Sequence, residues 1–284
     1  MDLSVVVVTW NSRAHILACL RSLERAQGAL TMEVLVVDNA SADGTPAEVR
    51  SGAPNARVIE TGANLGYAGG VNRGLAAASG DFVLVLNPDC VVGERALGAL
   101  HSWLVGHPRC AIAAPRLWQP DGRVEMSART FPSAAALFFN RYSLLTQLWP
   151  GNPWSRRYLL SDWDHASARS VDWVSGACML VRRAAIDQAG GMDEAYFMFN
   201  EDVDWCHTMK LLGWTVDFVP DAEVEHAVGA SRRRVTARII RERHRGMLHY
   251  YEKFHHPNGL QRAIVALVLT TRQGLMLLRN AFRS

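Results

Sequence analysis

The N-terminal third of the chain alternates between apolar strands and helical segments, and this alternation limits the possible fold more than any other feature. Residues 3–9 (LSVVVVT) are a β-branched apolar run, which is typical of a strand buried on both faces. Further strands are predicted at Glu33–Val37, Arg57–Glu60 and Asp81–Leu86. Helices are predicted between them, the first capped by Asn11 or Ser12 and the others at Thr45–Ser51 and Gly70–Ala78. The apolar positions of the first helix recur at helical spacing, at Ile16, Leu17, Leu20 and Leu23. This alternation predicts right-handed βαβ units and a parallel sheet.

Polar residues follow three of these strands. Thr9 and Asn11 follow the first strand, Asp38 follows the second, and Asn87 and Asp89 follow the fourth. Ligands of open parallel sheets bind beyond the carboxyl ends of the strands. Asp and Asn are also common in turns, which explains any single position equally well. Their recurrence after three strands favours a ligand site at this edge of the sheet.

The composition excludes several classes of protein. Of the 284 residues, 49% are hydrophobic and 20% are charged, which excludes a mainly disordered chain and a multi-span membrane protein. The net charge of +3 is too small to indicate a nucleic acid partner. The five cysteines form no CxxC pair, so we expect reduced thiols and no zinc site. Because we find neither a signal peptide nor an apolar run of membrane-spanning length, we expect a cytoplasmic protein.

The second half of the chain begins with a less regular segment. Residues 131–165 mix aromatic residues, Leu, Pro and Arg, which fits either a packed helical insertion or a surface for lipid or acceptor. After it, residues 171–183 (VDWVSGACMLVRR) predict a strand that leads into a helix at Arg183–Ala189. Three more elements are predicted, a helix at Glu201–Leu212 and strands at Thr215–Val219 and Glu223–His226.

The turn Asn87-Pro88-Asp89 is the first candidate for chemistry. It can aim a carboxylate at a divalent cation that bridges the phosphates of a nucleoside diphosphate. Asp38 can accept the ring N–H of a pyrimidine, or cap the next element through an Asx-turn. The stretch 64–74 (NLGYAGGVNRG) permits close approach of the backbone to a ligand. It does not match G-x-G-x-x-G, which disfavours a dehydrogenase, and the lack of G-x-x-x-x-G-K-[ST] excludes a P-loop enzyme.

An acidic cluster at 193–204 (DEAYFMFNEDVD) lies among aromatic residues. Apolar surroundings raise the pKa of a carboxylate, which suits a general base. Acidic residues also stabilise the N-terminus of a helix, which accounts for Glu201, Asp202 and Asp204 without any catalytic role. We favour catalysis, because so many aromatic residues do not fit a plain surface. His226 is a single histidine, and the neighbouring residues in the sequence indicate no role for it.

Taken in order, these motifs resemble those of glycosyltransferase family 2, which has the GT-A fold. The resemblance covers most of the first 231 residues and is weakest at 131–165. The LNPD and EDVD motifs are similar to those of the bacterial rhamnosyltransferase branch. The matching segments are VVVVTWNS (5–12), VVDNASADGT (36–45), NLGYAGGVNRG (64–74), FVLVLNPD (82–89), VDWVSGACMLVRR (171–183), GGMDEAYFMFNEDVDWCHTMKLLGW (190–214) and VPDAEVEHAVGAS (219–231).

The resemblance implies a Rossmann-like, mostly parallel sheet flanked by helices, and it implies roles for the candidate residues. Asp38 would recognise the base of UDP or dTDP, and Asp89 and His226 would hold Mg²⁺ or Mn²⁺. Asp202, with Glu201 beside it, would be the general base for a displacement that inverts the anomeric carbon. The other implied contacts are with the nucleotide (Thr9, Asn11, Asn64, Gly66 and Asn87) and with the donor sugar or the acceptor (Trp173, Gly176 and Asp204).

The resemblance further implies a donor and an acceptor. We expect rhamnose from dTDP-rhamnose and a saccharide acceptor on a lipid carrier, in cell-surface polysaccharide synthesis. The alternatives are a UDP-sugar-dependent transferase of the same fold and an inactive sugar-nucleotide-binding module. A nucleotidyltransferase would need a Gly-rich basic loop after the first strand, and TWNSRAH (9–15) is not one.

Asn87 is one departure from the family pattern, because it stands at the first position of the Asp-x-Asp motif. An amide in place of a carboxylate removes a negative ligand, so we expect weaker metal binding. The choice of base between Glu201 and Asp202 stays open, because adjacent carboxylates titrate as a pair.

We expect residues 1–231 to form the catalytic domain and residues 232–284 a helical tail. The tail is first basic and then apolar from Leu260 to Leu278, where Arg262 and Arg272 argue against a membrane span. Two interpretations of the tail are equally good: an amphipathic helix that lies at an anionic membrane surface, and a helix that packs on the core. The first alternative implies peripheral contact with the inner face of the plasma membrane.

Overall fold

The computed structural model describes residues 1–133, 148–149, 151–227 and 236–281. Residues 134–147 and 150 of the predicted insertion therefore lie outside the described residues, as does the predicted domain boundary at 231–232.

The N-terminal strands form the parallel half of the sheet. They are β1 (Leu3–Thr9), β2 (Met32–Asp38), β3 (Arg57–Glu60) and β4 (Phe82–Leu86), with α1 (Arg13–Ala26), α2 (Thr45–Gly52) and α3 (Gly66–Ala77) between them. The strands pair in parallel in the order β3-β2-β1-β4, which confirms the predicted βαβ units.

The sheet has a helical layer on each face, and the pleat of β1 explains why. Val5 and Val7 of β1 lie in the same apolar cluster as α1, whereas Val6 and Val8 lie in the cluster that contains α3. Successive side chains of a strand point to opposite faces, so a strand apolar at every position is covered on both sides.

The rest of the chain extends the sheet beyond β4. Its strands are β5 (Cys90–Val92), β6 (Cys110–Trp118), β7 (Ala128–Arg129), β8 (Arg169–Val171), β9 (Trp173–Val174), β10 (Cys178–Arg182) and β11 (Thr215–His226). Of these, β7 and β9 form a separate two-stranded sheet, and the other five belong to the main sheet. Its helices are α4 (Ala96–Gly106), α5 (Pro153–Leu159), α6 (Arg183–Ala189), α7 (Glu201–Leu211), α8 (Ala237–His255) and α9 (Gly259–Ala281). The sequence patterns predicted none of β5, α4, β6 and β7. The one strand predicted in 171–183 was wrong, because β8, β9 and β10 are three separate strands.

The strand order is β4-β10-β6-β11-β5, and β10 runs antiparallel to both of its neighbours. The two strands predicted at 215–219 and 223–226 are one strand, β11, so that prediction was wrong. The pairing of β11 with β6 shifts register between Val219 and Glu223, so the strand is irregular at the point where the sequence predicted a break.

This topology brings the ends of five strands to one edge of the sheet. The carboxyl ends of β1, β2 and β4 lie there, and the antiparallel β10 contributes its amino end, with Cys178 opposite Leu86. The carboxyl end of β11 joins them through the pairing of His226 with Cys90 of β5.

The C-terminal helices form a hairpin, of which α8 contacts the catalytic region. Tyr250 of α8 is buried in the same apolar cluster as Val203 and Trp205 of α7. Helix α9 packs on α8 through Val265 and Leu269. Among the described residues, no helix is long and apolar enough to cross a membrane.

Candidate active site

Thr9 and Asp38 lie side by side at the carboxyl ends of β1 and β2. They are register partners, and the Thr9 hydroxyl donates to Oδ1 of Asp38 over 2.9 Å. The backbone N–H of Ser41 donates to Oδ2 over 2.8 Å, and the Ser41 hydroxyl donates to Oδ1 over 2.6 Å. Asp38 is only 1% exposed, so these bonds fix a buried carboxylate at the edge where a ligand would bind.

Asn11 connects the end of β1 to the turn after β2. Its Oδ1 accepts from the backbone N–H of Ala42, and its own N–H donates to the Ser41 hydroxyl, both over 2.8 Å. Asn11 has a left-handed backbone with φ of 52°, which Asn tolerates better than most residues. Asn11 therefore holds the loop after β1 against the turn that contains Ser41, next to Asp38.

A tight turn at Gly66 is tied to the residue that follows β2. Asn64 Oδ1 accepts from the Gly66 N–H over 3.0 Å, and the Gly66 carbonyl accepts from the Asn39 side chain over 2.8 Å. The Phe197 carbonyl accepts from the Tyr67 N–H over 2.8 Å. Sequence reasoning missed the role of Asn39, which lies beside Asp38 and ties the turn to β2.

The NPD turn and His226 meet where β5 pairs with β11. Cys90 is the register partner of His226, and the N–H of Ala227 donates to the Asp89 carbonyl over 3.0 Å. His226 Nε2 lies 3.5 Å from Asp89 Oδ1, and both side chains are buried. The two predicted metal ligands, 137 positions apart in the chain, are therefore adjacent.

Glu125 is a third member of this group, and no sequence motif indicated it. Its Oε2 lies 2.8 Å from His226 Nδ1, on the side of the imidazole away from Asp89. Burial alone would lower the pKa of His226, but hydrogen bonds and the charges of Asp89 and Glu125 outweigh it and raise the pKa to about 9. Two carboxylates around one imidazole form a site that attracts a cation.

These residues fit a divalent cation with hard oxygen and imidazole ligands. Asp89, Cys90 and His226 bring a carboxylate oxygen, a thiol and an imidazole nitrogen within 4.8 Å of one another. Cys90 is an unsuitable ligand, because burial raises the pKa of its thiol and its Sγ contacts the Ala177 carbonyl at 3.4 Å. Asp89 Oδ1 and His226 Nε2 are the two available protein atoms, with Glu125 fixing the imidazole through Nδ1.

Glu201 and Asp202 open α7 beside the first residues of β10. The Gly176 N–H donates to Asp202 Oδ2 over 3.0 Å, and the Val203 N–H donates to Oδ1 over 2.9 Å. Glu201 is buried, and its Oε2 has no hydrogen-bond partner among the described residues. Burial, with the charge of Asp202 adding to it, raises the pKa of Glu201 to about 8. Burial also raises the pKa of Asp202, against the two N–H donors.

Arg129 adds a positive charge to this group and was also missed. Its guanidinium lies 5.1 Å from the ring centroid of Trp173, and its charge lowers the pKa of Asp202, against the larger effect of burial. Trp173 itself is buried, and its indole N–H donates to the Thr130 carbonyl over 2.8 Å. The guanidinium of Arg129 therefore packs against the indole ring of Trp173.

Asp204 lies on α7 but takes part in a separate ion pair. The Tyr196 hydroxyl donates to its Oδ2 and Lys253 of α8 lies beside it, each at 2.9 Å. The Thr208 hydroxyl also donates to its Oδ1 over 3.4 Å, and Asp204 is only 3% exposed, so its carboxylate is held by these three partners. The predicted contact of Asp204 with sugar or acceptor has no support in this geometry.

The family of the chain follows from its match to a family model. The model of "Glycosyl transferase family 2" matches residues 4–190, which is more than half of the chain. The chain belongs to glycosyl transferase family 2. A second model, "Glycosyl transferase family 21", matches residues 164–280 of this family 2 glycosyltransferase, including both C-terminal helices.

Two curated relatives of this family 2 glycosyltransferase are named as rhamnosyltransferases. It is 38% identical over 254 residues to the N-acetylglucosaminyl-diphospho-decaprenol L-rhamnosyltransferase of Mycobacterium tuberculosis, covering 86% of this chain and 81% of that protein. It is 26% identical over 151 residues to rhamnosyltransferase WbbL of Escherichia coli, covering 52% of this chain and 53% of that protein. The predicted family and its rhamnosyltransferase-like branch are confirmed.

A solved structure shares the fold. Mannosyltransferase PcManGT from Pyrobaculum calidifontis, in complex with GDP-Man and Mn²⁺, has a TM-score of 0.61 to this family 2 glycosyltransferase. The match covers 99% of this chain and 79% of that one at 17% identity, so it shows the fold alone. Together with the mixed sheet and its two helical layers, it confirms the predicted GT-A type architecture.

Proposed function

We propose that this glycosyltransferase moves rhamnose from dTDP-rhamnose to an N-acetylglucosaminyl-diphospho-polyprenol, with inversion at the anomeric carbon, in cell-surface polysaccharide synthesis. The 38% identical relative is named for this type of acceptor and for rhamnose, over 81% of its length. The second relative, from another bacterium, is also named a rhamnosyltransferase.

The observation that carries the proposal is the position of Gly176 and Ala177. The Ala177 carbonyl accepts from the Asn87 N–H over 2.9 Å, next to the Asp89 and His226 pair. The N–H of the preceding residue, Gly176, donates to Asp202. Two consecutive residues thus join the candidate phosphate end of the site to the candidate base. A donor bound at Asp38 and Asp89 would present its sugar to Asp202.

Asp89 and His226 would hold Mg²⁺ or Mn²⁺ in this site. When bound, the cation would neutralise the charge that develops on the leaving diphosphate. Asn87 supplies an amide where the family motif has a carboxylate, so the protein contributes a single carboxylate from this turn. The rest of the coordination would come from water and phosphate oxygens.

Asp202 is the better base of the acidic pair. Two backbone N–H groups, the charge of Arg129 and the N-terminus of α7 all stabilise its ionised form. Oε2 of Glu201 has no donor among the described residues, and burial favours the protonated form of Glu201 against two backbone hydrogen bonds. In a pair that shares one proton, Glu201 therefore holds the proton and Asp202 is free to accept another.

The transfer of the sugar needs only the donor, the acceptor hydroxyl and Asp202 as the base. The acceptor hydroxyl gives its proton to Asp202 while its oxygen forms a bond to the anomeric carbon of the donor. The bond between that carbon and the diphosphate oxygen breaks, and the nucleoside diphosphate leaves with the electron pair. Attack opposite the leaving group inverts the configuration, the geometry by which inverting glycosidases activate water.

The first test is thermal unfolding with dTDP, UDP, GDP and ADP, each with and without Mn²⁺ or Mg²⁺. A ligand at about 100 times its dissociation constant should stabilise the fold by roughly 2.7 kcal/mol. We expect a metal-dependent shift with dTDP, whereas a shift with UDP alone would point to a UDP-sugar donor. Failure of all four nucleotides to shift a cooperative transition would contradict the donor site.

The second test is Asp202→Asn, with Glu201→Gln as its matched control. Loss of a general base lowers kcat by about 10²–10⁴-fold, and the nucleotide-dependent thermal shift should stay unchanged. Glu201→Gln should keep most of the turnover, because Gln is close in shape to the protonated acid. NMR of the product reports the anomeric configuration. Wild-type protein that binds dTDP but transfers no sugar would be an inactive binding module.

A further inference from the structure

The charge of the chain is divided unequally along its length. Residues 232–284 contain twelve Arg and Lys but only two Glu, whereas residues 1–231 contain eighteen Arg and Lys against twenty-five Asp and Glu. The small net charge of +3 therefore hides a strongly basic C-terminal segment on an acidic catalytic region. Charge asymmetry of this kind indicates a polyanionic partner for one part of the molecule.

Helix α8 fixes this basic segment to the catalytic region. Lys253 lies 2.8 Å from Asp193 and 2.9 Å from Asp204, and Tyr250 is buried in the core. Arg238, Arg241 and Arg245 of α8 are exposed at helical spacing, and the Arg238 guanidinium also lies 4.0 Å from the ring centroid of Phe197. Three basic side chains of α8 are therefore accessible to an anionic partner.

Helix α9 presents an apolar stripe to solvent. Five large apolar side chains that are 50–72% exposed recur at spacings of three, four and eight residues, namely Leu260, Ile264, Leu267, Leu275 and Leu278. The opposite side of α9 packs on Tyr251 of α8 through Val265 and Leu269. Helix α9 contains no acidic residue, and Arg279 lies in its last turn. A stripe of this length on one face of a helix requires an explanation.

We propose that the outer face of the α8–α9 hairpin docks on an anionic membrane surface, with the α9 stripe buried at the headgroup boundary. An apolar stripe beside exposed arginines is the pattern of an interfacial helix, which combines hydrophobic insertion with attraction to anionic lipid. A second copy of the chain is a poorer occupant, because it would bring two basic hairpins together. The inference rests on the proposed function, in which a lipid-linked acceptor lies in the membrane.

The test is flotation of the full chain with vesicles of phosphatidylcholine alone or mixed with phosphatidylglycerol. We expect the protein to float with the anionic vesicles and to be released by high salt. Ile264→Ser/Leu267→Ser/Leu275→Ser should lower the partition coefficient at least about tenfold, since each exposed apolar group contributes to insertion. Leu211→Ser and Val105→Ser, equally exposed but outside the hairpin, should float as the wild type does.

A second variant tests the charge. Arg241→Glu/Arg245→Glu should weaken binding to anionic vesicles by at least about 25-fold, because each removed arginine contributes about fivefold. The proposal would be overturned if the wild-type protein did not bind anionic vesicles, or if the triple serine variant floated as the wild type does. A dimer in light scattering that the serine variant abolishes would assign the stripe to a second copy instead. The dTDP-dependent thermal shift, measured without lipid, reports separately on the proposed function.

Discussion

Nδ1 of His226 lies 2.8 Å from Oε2 of Glu125, a residue 101 positions earlier in the chain. The bond leaves Nε2 facing Asp89 and fixes the orientation of the imidazole ring. Carboxylates in this position behind a histidine ligand hold the tautomer that presents its lone pair to a metal ion. Glu125 thus connects the loop between β6 and β7 to the candidate metal site at the end of β11.

We expect Glu125→Gln to weaken Mn²⁺ binding by about 10–100-fold, because the amide lacks the charge that holds the imidazole. Electron paramagnetic resonance of free Mn²⁺, in the presence of dTDP, measures this affinity without any turnover. Asp121→Asn is a matched control, since Asp121 is an exposed carboxylate of the same loop. Equal Mn²⁺ affinity of Glu125→Gln and wild type would show that Glu125 does not support the site.

Glu201 should make the fold less stable as the pH rises. Its pKa is about 8 in the folded protein against 4.5 as the ordinary value, with burial as the main cause. Between about pH 4.5 and pH 8 the folded state therefore binds more protons than the unfolded state, and the free energy of unfolding falls with rising pH. Glu201→Gln should flatten this slope and be more stable than wild type at pH 8.

The measurement is urea unfolding of both proteins at about pH 5, 6.5 and 8. Glu24→Gln, which changes an exposed carboxylate on α1, should leave the slope unchanged. A wild-type slope that persists in Glu201→Gln would assign the pH dependence to another group.

Lys253→Met should destabilise the protein by about 2 kcal/mol, because it leaves the buried carboxylate of Asp204 without its cation. Chemical denaturation measures the loss. The control is Arg50→Met, which breaks the exposed pair with Glu60 and should cost less than about 0.5 kcal/mol. Similar losses in both variants would mean that α8 does not depend on this ion pair.

Gly66→Ala should destabilise the fold and weaken binding of dTDP. Gly66 has φ of +80°, and an added Cβ would lie 2.3 Å from the Phe197 carbonyl oxygen. Gly62→Ala is a matched control, since its φ is +74° but its Cβ would meet nothing within 4 Å. The left-handed backbone conformation costs about 1–2 kcal/mol in either variant. Any further loss of stability in Gly66→Ala is therefore due to the clash with Phe197. Equal stability of the two variants in urea would contradict the close packing of Phe197 on this turn.

The sequence by itself determined the family, the parallel half of the sheet and the approximate position of most candidate residues. β1 is apolar at every position because helices cover both of its faces, so its pattern reports its burial directly. Asp38, Asn87 and Asp89 follow strands whose carboxyl ends must share one edge in a parallel sheet. Local pattern and topology are linked in these cases, and the predictions therefore agree with the structure.

Only the tertiary structure decided which distant groups meet. The contact of Glu125 with His226, the support of Arg129 by Trp173, and the ion pair of Asp204 with Lys253 all join segments far apart in the chain. Such pairs depend on strand register, on the antiparallel insertion of β10 and on the docking of α8. Hydrophobic periodicity reports which face of an element is buried, but it carries no information about which side chain lies opposite.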